Sequence, residues 1–540
     1  MAALGVAGSF GQGNPPAPSA NPKEMKETVN SAKKYFDHRQ YAQAFPLFLK
    51  AANAGDAVSM RYLGLIYRNG AGLPKDDAQA ASWYSKAANA GDAAGMSSLG
   101  VMYSNGFGVP KDDAQAAIWY RKAADAGDTG GMTGLGGAYV NGLGVPKDEA
   151  QAAIWIRKAA SAGDAVGMNL LAAMYGDGLG VPRDDAQAMN WYRKAAHAGG
   201  AGGAAAMRYI GMLYSNGQGV AKDDAQAAIW SRKAAEAGDA IGMRNLGFMY
   251  QNGEGVSKDY AQAAIWYRQA ADAGDAGGMR NLGILYQNGA GVPKDDTQAA
   301  IWFRKAADAG DTGGMTNLGA MYENGAGVPR DYVQAVNWYR KAADVGVGLA
   351  MSDLGSMYEF GQGVPKDEAQ AVSWYRKSAD TGDATGMSNL GSMYENGAGV
   401  AKDEVQAASW YRKAADGGNA MGMRYLGVMY EEGSGGLPKD DAQAASWYRK
   451  AADAGDAVSM SYLGIMYVKG QGVAKDEAQA VSWSRKAADA GDAVGMRLLG
   501  VMYENGLGVP KDNTQALGWY RKAAGEGDTF AIEALKRLGK

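Results

Sequence analysis

The chain has 540 residues with 54 basic and 57 acidic side chains, so its net charge of −3 provides no basic field that would favour nucleic acid. It has no cysteine and only two histidines, His38 and His197, at unrelated places, which excludes thiolate chemistry and argues against a histidine metal cluster. No apolar run approaches the ~20 residues that a membrane-spanning helix needs.

The first residues predict no packed element. Residues 1–22 lack a basic leader, are rich in Gly, Pro, Asn, Ser and Ala, and are typical of a flexible lead. The short apolar stretch 1–9 leaves two interpretations open: the remnant of a signal peptide, with a periplasmic or secreted protein, or the start of a cytoplasmic chain. Residues 23–55 predict a degenerate capping repeat, with Leu47 at the position that tryptophan takes in later copies.

Thirteen tryptophans then recur at a nearly constant spacing from Trp83 to Trp519. Ten of the twelve gaps are 36 residues, and the other two are 37 and 39. A fixed period of this length indicates one supersecondary unit copied end to end. Residues 56–527 are therefore predicted to form thirteen repeats that each contact only their neighbours, and residues 528–540 a C-terminal capping helix.

Each copy predicts two helices, and the first copy shows how the first helix forms. Asp56 is the predicted N-cap, because its carboxylate accepts hydrogen bonds from exposed N–H groups at the helix start. An apolar stripe with helical spacing follows, at Ser59, Met60, Leu63, Gly64, Ile66 and Tyr67. The small residues at positions 59 and 64 are expected to let a second helix approach closely.

The second helix begins after the turn 69–75. Asp76 and Gln79 predict a capping box, in which Asp76 caps the helix and Gln79 reaches back to the N–H of Asp76. Trp83 is predicted to be the large buried side chain between successive copies, and Tyr84 to lie nearer to solvent. A single hairpin cannot bury its apolar stripes, so the copies are expected to stack into one continuous core.

Two places break the regular pattern. Three additional residues and a missing cap aspartate fall at 199–203, and a cap aspartate is also missing at 346–348. We expect a bend or looser stacking at the first place, and a lesser effect at the second.

The repeated pattern is Ala-Gly-Asp-x-x-Gly-Met-x-x-Leu-Gly-x-Met-Tyr-x-Asn-Gly-x-Gly-Val-x-Lys-Asp-x-x-Gln-Ala-x-x-Trp-Tyr-x-Lys-Ala-Ala. It resembles the Sel-one-like repeat of the tetratricopeptide-like group. The resemblance implies an all-α fold, a right-handed α-solenoid of stacked helix-turn-helix repeats of 36 residues with the first helices along a concave inner face. It also implies scaffold or adaptor roles, often in bacterial signalling, host interaction, envelope assembly or protein quality control. Properties tied to the disulfides of some family members do not transfer.

Catalytic and cofactor-binding motifs are not predicted. The Asn-Gly-x-Gly loops lack the alternating oxygen ligands of a calcium loop and the Gly-Lys-Ser/Thr ending of a phosphate loop. Acidic pairs such as 76–77 and 112–113 stand at helix starts, where capping explains them. No Ser or Thr has a histidine with which to form a triad. We therefore expect a protein that is not an enzyme and holds no cofactor or metal.

The candidate binding residues vary between copies and are predicted to face away from the core of the first helices. The position after the repeated methionine often holds Arg, the next often holds Asn, with Asp353 interrupting the row, and the eighth holds Glu in several copies. The predicted partner-binding residues are Arg208, Arg244, Asn245, Arg280, Asn281, Asn317, Asn389 and Arg424. Asparagine amides both donate and accept, so a row of them can bind an extended backbone, and arginines can grip carboxylates. The alternative, that these residues merely keep the face solvated, stays open.

The function that the sequence favours is a non-enzymatic scaffold that binds protein or extended peptide partners along the concave face. One alternative is the binding of a glycan such as peptidoglycan or an exopolysaccharide, with exposed rings stacking on sugars unless they pack between copies. The rings proposed for that role are Tyr62, Tyr209, Tyr425 and Tyr462. A third alternative is a self-assembling structural protein. The identity of the partner, the pathway and the oligomeric state stay open.

Overall fold

The structure, a computed structural model, describes residues 22–538. The lead 1–21, with the suggested signal remnant 1–9, lies outside the described residues. Within 22–538 the chain forms 29 helices and no strand, so the all-α prediction is confirmed. The chain divides into two compact units, Met1–Gln269 and Ala270–Lys540.

The helices that begin before residue 270 are α1 (Pro22–Asp37), α2 (Tyr41–Asn53), α3 (Ala57–Asn69), α4 (Asp77–Asn89), α5 (Ala93–Asn105), α6 (Asp113–Asp125), α7 (Thr129–Asn141), α8 (Glu149–Ser161), α9 (Ala165–Asp177), α10 (Asp185–Ala198), α11 (Gly200–Asn216), α12 (Asp224–Glu236), α13 (Ala240–Asn252) and α14 (Tyr260–Asp272). The later helices are α15 (Ala276–Asn288), α16 (Asp296–Asp308), α17 (Thr312–Asn324), α18 (Tyr332–Asp344), α19 (Gly348–Phe360), α20 (Glu368–Asp380), α21 (Ala384–Asn396), α22 (Glu404–Asp416), α23 (Ala420–Glu432), α24 (Asp441–Asp453), α25 (Ala457–Lys469), α26 (Glu477–Asp489), α27 (Ala493–Asn505), α28 (Asn513–Gly525) and α29 (Thr529–Arg537).

The predicted helix caps are present in the first copy. The Asp56 carboxylate accepts from the N–H of Ser59 at 2.6 Å, and the Asp76 carboxylate accepts from the N–H of Gln79 at 2.9 Å. Gly70 ends α3 in the left-handed conformation with φ of 63°. Satisfied N–H groups at both helix starts and a glycine at the turn fix where each helix of the hairpin begins and ends.

The second half of the predicted capping box is wrong. Gln79 does not reach back, because the N–H of Asp76 already donates to the carbonyl of Tyr67 at 2.9 Å. The same bond recurs in the next copy, from Asp112 to Tyr103, also at 2.9 Å. The end of each first helix thus accepts a hydrogen bond from the start of the second, which leaves the glutamine exposed.

Tyr84, predicted to lie nearer to solvent, is instead the large core side chain of its hairpin, with 2% of its surface exposed. Its ring lies on Gly64, where a Cβ would come within 2.6 Å of Tyr84 Cε1. The small residue therefore admits a tyrosine ring, and the predicted close approach of the two helices is confirmed. Equivalent pairs are Gly100 with Tyr120, Gly319 with Tyr339, Gly355 with Tyr375, Gly391 with Tyr411, Gly427 with Tyr448 and Gly500 with Tyr520.

The tryptophans lie between copies, as predicted, but most are only half-buried. Trp83 packs against the preceding core cluster that includes Phe48 and Leu63. The Lys86 ammonium lies 4.0 Å from the centre of the Trp83 ring, so the outer face of the indole contacts a cation. The fully buried exceptions are Trp155, Trp302, Trp338 and Trp483. The predicted full burial is therefore wrong for the other indoles.

First helices of successive copies contact each other directly in each unit. Examples are α5 with α7 and α9 with α11 in the first unit, and α19 with α21 and α25 with α27 in the second. Within the described range, second helices of successive copies make no comparable contact. The more closely spaced layer of a stack lies on the inside of its curve, so the first helices form the inner layer of each unit.

The two irregular places differ in outcome. At the first, the additional residues extend α11 to 17 residues, with Gly199 before it and no side-chain cap. This additional turn is not loosely packed, because the Asn169 amide donates to the Gly202 carbonyl at 2.6 Å and a Cβ on Gly202 would lie 2.7 Å from Ala165 Cβ. At the second place, α19 begins after Val347 without a side-chain cap, so the predicted loss of the cap is confirmed.

Candidate partner-binding site

The predicted asparagines lie on first helices, two residues after the repeated methionine, and all four are half-buried. Asn245 belongs to the first unit, and Asn281, Asn317 and Asn389 belong to the second. The side chains of Asn281 and Asn317 form no hydrogen bond within residues 22–538, although their helices, α15 and α17, contact each other. Asn389 differs, because its amide donates to Ser352 Oγ at 3.2 Å. The free amides of Asn281 and Asn317 keep their full capacity to donate and accept.

Asp353 interrupts this asparagine row with a carboxyl that is hard to ionise. Burial, and then the carboxylates of Glu323 and Asp383, raise the pKa of Asp353 to about 7. Loss of solvation and like charges both disfavour the ionised form, and here they act together. The position therefore switches from a neutral donor to an anion near neutral pH.

The predicted arginines have partners within the chain. Arg208 pairs with Asp239 at 3.1 Å, and Arg280 with Asp311 at 3.5 Å. Each of these aspartates is also the N-cap of the following first helix, as when Asp239 accepts from the N–H of Gly242 at 2.6 Å. The same bridge joins Arg424 to Asp456 at 3.1 Å, Arg61 to Asp92 at 2.7 Å and Arg497 to Asp528 at 3.2 Å. Arg244 also has an interaction within the chain.

Each of these bridges ties one copy to the next. The side-chain exposure of Arg208 is 14% and that of Arg280 is 35%, so the guanidinium groups differ in how much surface a ligand can reach. A guanidinium has five N–H donors, so a single aspartate leaves some unused. The sequence analysis did not predict these bridges, because each arginine and its aspartate are about thirty residues apart in the chain.

The glutamates at the eighth position are not a free exposed row, which corrects the sequence prediction. Each accepts a hydrogen bond from the core tyrosine of its own hairpin, because a buried phenol needs an acceptor. The pairs are Tyr339 with Glu323 at 2.6 Å, Tyr375 with Glu359 at 2.6 Å, Tyr411 with Glu395 at 2.5 Å, Tyr448 with Glu431 at 2.8 Å and Tyr520 with Glu504 at 2.7 Å. Burial, followed by the bonded carboxylate, raises the pKa of Tyr375, Tyr411 and Tyr448.

The sequence matches the Sel1 repeat family in fourteen consecutive segments. These are 39–56, 57–92, 93–128, 130–164, 165–200, 204–239, 240–275, 276–311, 313–347, 348–383, 384–419, 420–456, 457–492 and 493–528. The chain belongs to the Sel1 repeat family. Solenoids of this family are typically protein-interaction scaffolds, and Sel1 repeat proteins are generally non-catalytic.

Two solved structures resemble this Sel1 repeat chain. One is a protective antigen present in uropathogenic Escherichia coli strains, which displays an SLR fold. It is 38% identical, with a TM-score of 0.54, and the match covers 77% of this chain and 89% of that chain. The other is a Sel1 repeat protein from Oxalobacter formigenes, 34% identical, with a TM-score of 0.43 and coverage of 57% and 90%. No curated protein matches the chain.

The tyrosines considered for sugar stacking pack between Sel1 repeats. Tyr62 stacks on Phe48 with ring centres 4.7 Å apart, and Tyr209 stacks on Tyr192 at 5.2 Å. In the second unit, Tyr425 stacks on Tyr411 at 4.9 Å and Tyr462 on Tyr448 at 4.8 Å. One face of each ring is therefore already in contact with an aromatic ring of the preceding hairpin.

Neither a metal centre nor a membrane span is found in the part of the chain that the structure describes. Between residues 22 and 538, no group of three or more His, Cys, Asp or Glu side chains is placed to hold a metal ion. In the same range, no helix combines the length and the apolar character that crossing a bilayer requires.

Proposed function

We propose that this Sel1 repeat protein is a non-enzymatic scaffold that binds protein partners, as extended peptide segments, along the inner layer of first helices. The binding residues in the second unit are Asn281, Asn317 and Asn389, flanked by Arg280 and Arg424. In the first unit they are Arg208, Arg244 and Asn245.

The observation that carries this proposal is the pair of uncommitted amides on α15 and α17. Asn281 and Asn317 stand 36 residues apart on helices in direct contact, half-buried and without a hydrogen bond in the described part of the chain. An amide in this position can donate to a peptide carbonyl and accept from a peptide N–H, whatever the side chains of the peptide. A repeated amide therefore suits an extended backbone.

The arginines contribute mainly through the N–H donors that their aspartates leave unused. Arg280 is the most accessible of Arg208, Arg280 and Arg424, with 35% of its side chain exposed and a 3.5 Å distance to its aspartate. Arg208 and Arg424, at 14% and 18%, are more enclosed. We infer that Arg280 contacts acidic groups of a partner, whereas Arg208 and Arg424 chiefly hold neighbouring repeats together.

The test is a quantitative crosslinking pull-down from the native cell extract with the triple variant Asn281→Ala, Asn317→Ala and Asn389→Ala. The matched control changes three exposed second-helix residues of the same unit, Ser373, Ser409 and Ser446, to Ala. Equal thermal stability of both triple variants must be established first, because Asn389 bonds to a neighbouring repeat.

We expect the asparagine variant to recover at least ten-fold less of a specific partner than the wild type. A ten-fold loss of affinity corresponds to about 1.4 kcal/mol. The serine variant should retain it. An unchanged set of partners in the asparagine variant would leave only the explanation that these residues keep the surface solvated.

A further inference from the structure

The fourth copy departs from the others at two adjacent positions near the end of its first helix, α9. The residue that is Glu in five copies of the second unit is Gly176 here, and the next residue, Asn in most copies, is Asp177. Five of the asparagines at this second position fold back onto their own helix, as Asn105 does by donating to the carbonyl of Val101 at 2.9 Å. Asp177 cannot make this bond, because a carboxylate has no hydrogen to donate.

A cavity of about 330 Å³ lies where the longer side chain stands in other copies. Its walls include Ala173, Gly176, Asp177, Tyr192, Tyr209 and Met212. This volume is at the lower end of the ~300–1,000 Å³ typical of small-ligand sites. It suits one side chain or one small molecule, and all of its lining belongs to the first unit.

Tyr192 supplies an unpartnered hydroxyl to this cavity. Only 6% of its surface is exposed, and its hydroxyl forms no hydrogen bond among the described residues. In six other copies the matching tyrosine donates to the eighth-position residue, as Tyr267 does to Gln251 at 2.9 Å. With glycine at 176, no side chain at this position accepts from the Tyr192 hydroxyl, and Tyr192 lines the cavity. A ligand in the cavity can therefore supply the hydrogen-bond partner that this phenol lacks within the chain.

The charges around the cavity leave one carboxylate uncompensated. Arg183 and Asp185 both line the cavity and pair with each other, with Nε and Oδ1 3.2 Å apart. Asp177 forms no ion pair in the described chain. Burial, then the phenol group of Tyr209 and the carboxylate of Asp177, raise the pKa of Tyr192, and the Arg208 guanidinium acts in the opposite direction. The Asp177 carboxylate therefore lies close enough to the Tyr192 phenol to affect it. The Met212, Leu213 and Tyr209 side chains provide the apolar wall.

We propose that this cavity is a binding site for a single organic cation of side-chain size, a guanidinium or a primary ammonium on an apolar stem. The cationic group pairs with Asp177 and donates to the Tyr192 hydroxyl oxygen, and the stem lies against Met212 and Tyr209. The site does not depend on the asparagine row, so it holds whether or not that row binds peptides.

The experiment measures ligand affinity by saturation-transfer NMR on the full chain. The probe is N-acetyl-arginine amide, compared with its neutral isostere N-acetyl-citrulline amide and the anionic N-acetyl-glutamate amide. Agmatine, which has the cation without a backbone, distinguishes a free small molecule from a residue of a partner protein. We expect the arginine probe to bind at least ten-fold more tightly than the citrulline probe.

Two variants restore what other copies contain. Asp177→Asn recreates the usual asparagine, and Gly176→Gln recreates the Gln–Tyr pair of the sixth copy. A Cβ at 176 meets nothing closer than Ala188 Cβ at 3.9 Å, and replacing a glycine within a helix favours helix formation, so the glutamine variant should fold. We expect a ten-fold loss of the arginine probe with Asp177→Asn and no detectable binding with Gly176→Gln. Asp125→Asn, which removes an exposed charge elsewhere in the first unit, should leave the affinity unchanged.

Three results would overturn the proposal. They are equal binding of the arginine and citrulline probes, preferential binding of the glutamate probe, and retention of affinity in folded Gly176→Gln. Failure of the arginine probe and agmatine to bind the wild-type chain up to their solubility limits would overturn it as well.

Discussion

Replacing Asp353 by asparagine should change how stability depends on pH. The pKa of this carboxyl is about 7 in the folded chain, against 3.8 for an unperturbed aspartate. Between these values the unfolded chain has released the proton while the folded chain retains it. The unfolded state therefore binds fewer protons, and the free energy of unfolding falls as pH rises from about 4 to about 7.

The size of the effect follows from the same two values. The difference corresponds to at most about 4 kcal/mol lost above pH 7, since one pKa unit is about 1.36 kcal/mol. Asparagine is neutral at every pH. It also occupies the equivalent position in the two neighbouring copies, as Asn317 and Asn389. We expect Asp353→Asn to be more stable than the wild type by about 1–4 kcal/mol at pH 8, and nearly equal to it at pH 4.

Urea denaturation followed by circular dichroism at pH 4, 6 and 8 measures this difference. Asp344→Asn, at an exposed residue on α18, is the matched control and should show no comparable gain at pH 8. Glu323→Gln should reproduce part of the gain, because it removes one of the two neighbouring carboxylates. A wild-type chain and an Asp353→Asn variant with parallel pH profiles would refute the reasoning.

The packing inside the hairpins yields two further predictions. Gly100→Ala should destabilise the chain by about 1–3 kcal/mol, because the new Cβ would lie 2.7 Å from the ring of Tyr120, whereas Gly137→Ala, where a Cβ meets nothing within 4 Å, should stabilise it slightly. Urea midpoints test both, and equal shifts in the two variants would contradict the account. Tyr411→Phe should cost about 1–3 kcal/mol in the same assay, since it removes the bond to Glu395, and a neutral result would show that this bond contributes nothing net.

Features with a short sequence range were predictable. The caps at Asp56 and Asp76, the glycine ends of the first helices and the helical hairpin itself depend on residues within a few positions of one another, and all are present. The stacking of the hairpins was also predictable, because the 36-residue period indicates a repeated unit whose copies bury their apolar faces against one another.

Features set by contacts between helices were harder to predict. Trp83 and Tyr84 are adjacent aromatic residues, and which of them points inward depends on the glycine at 64, on another helix. The pairing of Arg208 with Asp239 likewise joins residues of two successive copies. In every copy with glutamate at the eighth position, the core position is tyrosine, and the sequence shows this co-occurrence. The pattern alone does not say that the two side chains are in contact.

Site-specific photo-crosslinking tests most directly whether partners bind the inner layer. Phe248 on α13 is 47% exposed and lines the same cavity as Asn245, so benzoyl-phenylalanine can replace it with little disturbance. Ile265 on α14, 49% exposed, provides the matched position on the second-helix layer of the same unit. The account predicts that a protein partner is crosslinked at position 248 and not at 265. Efficient crosslinking at 265 with none at 248 would contradict it.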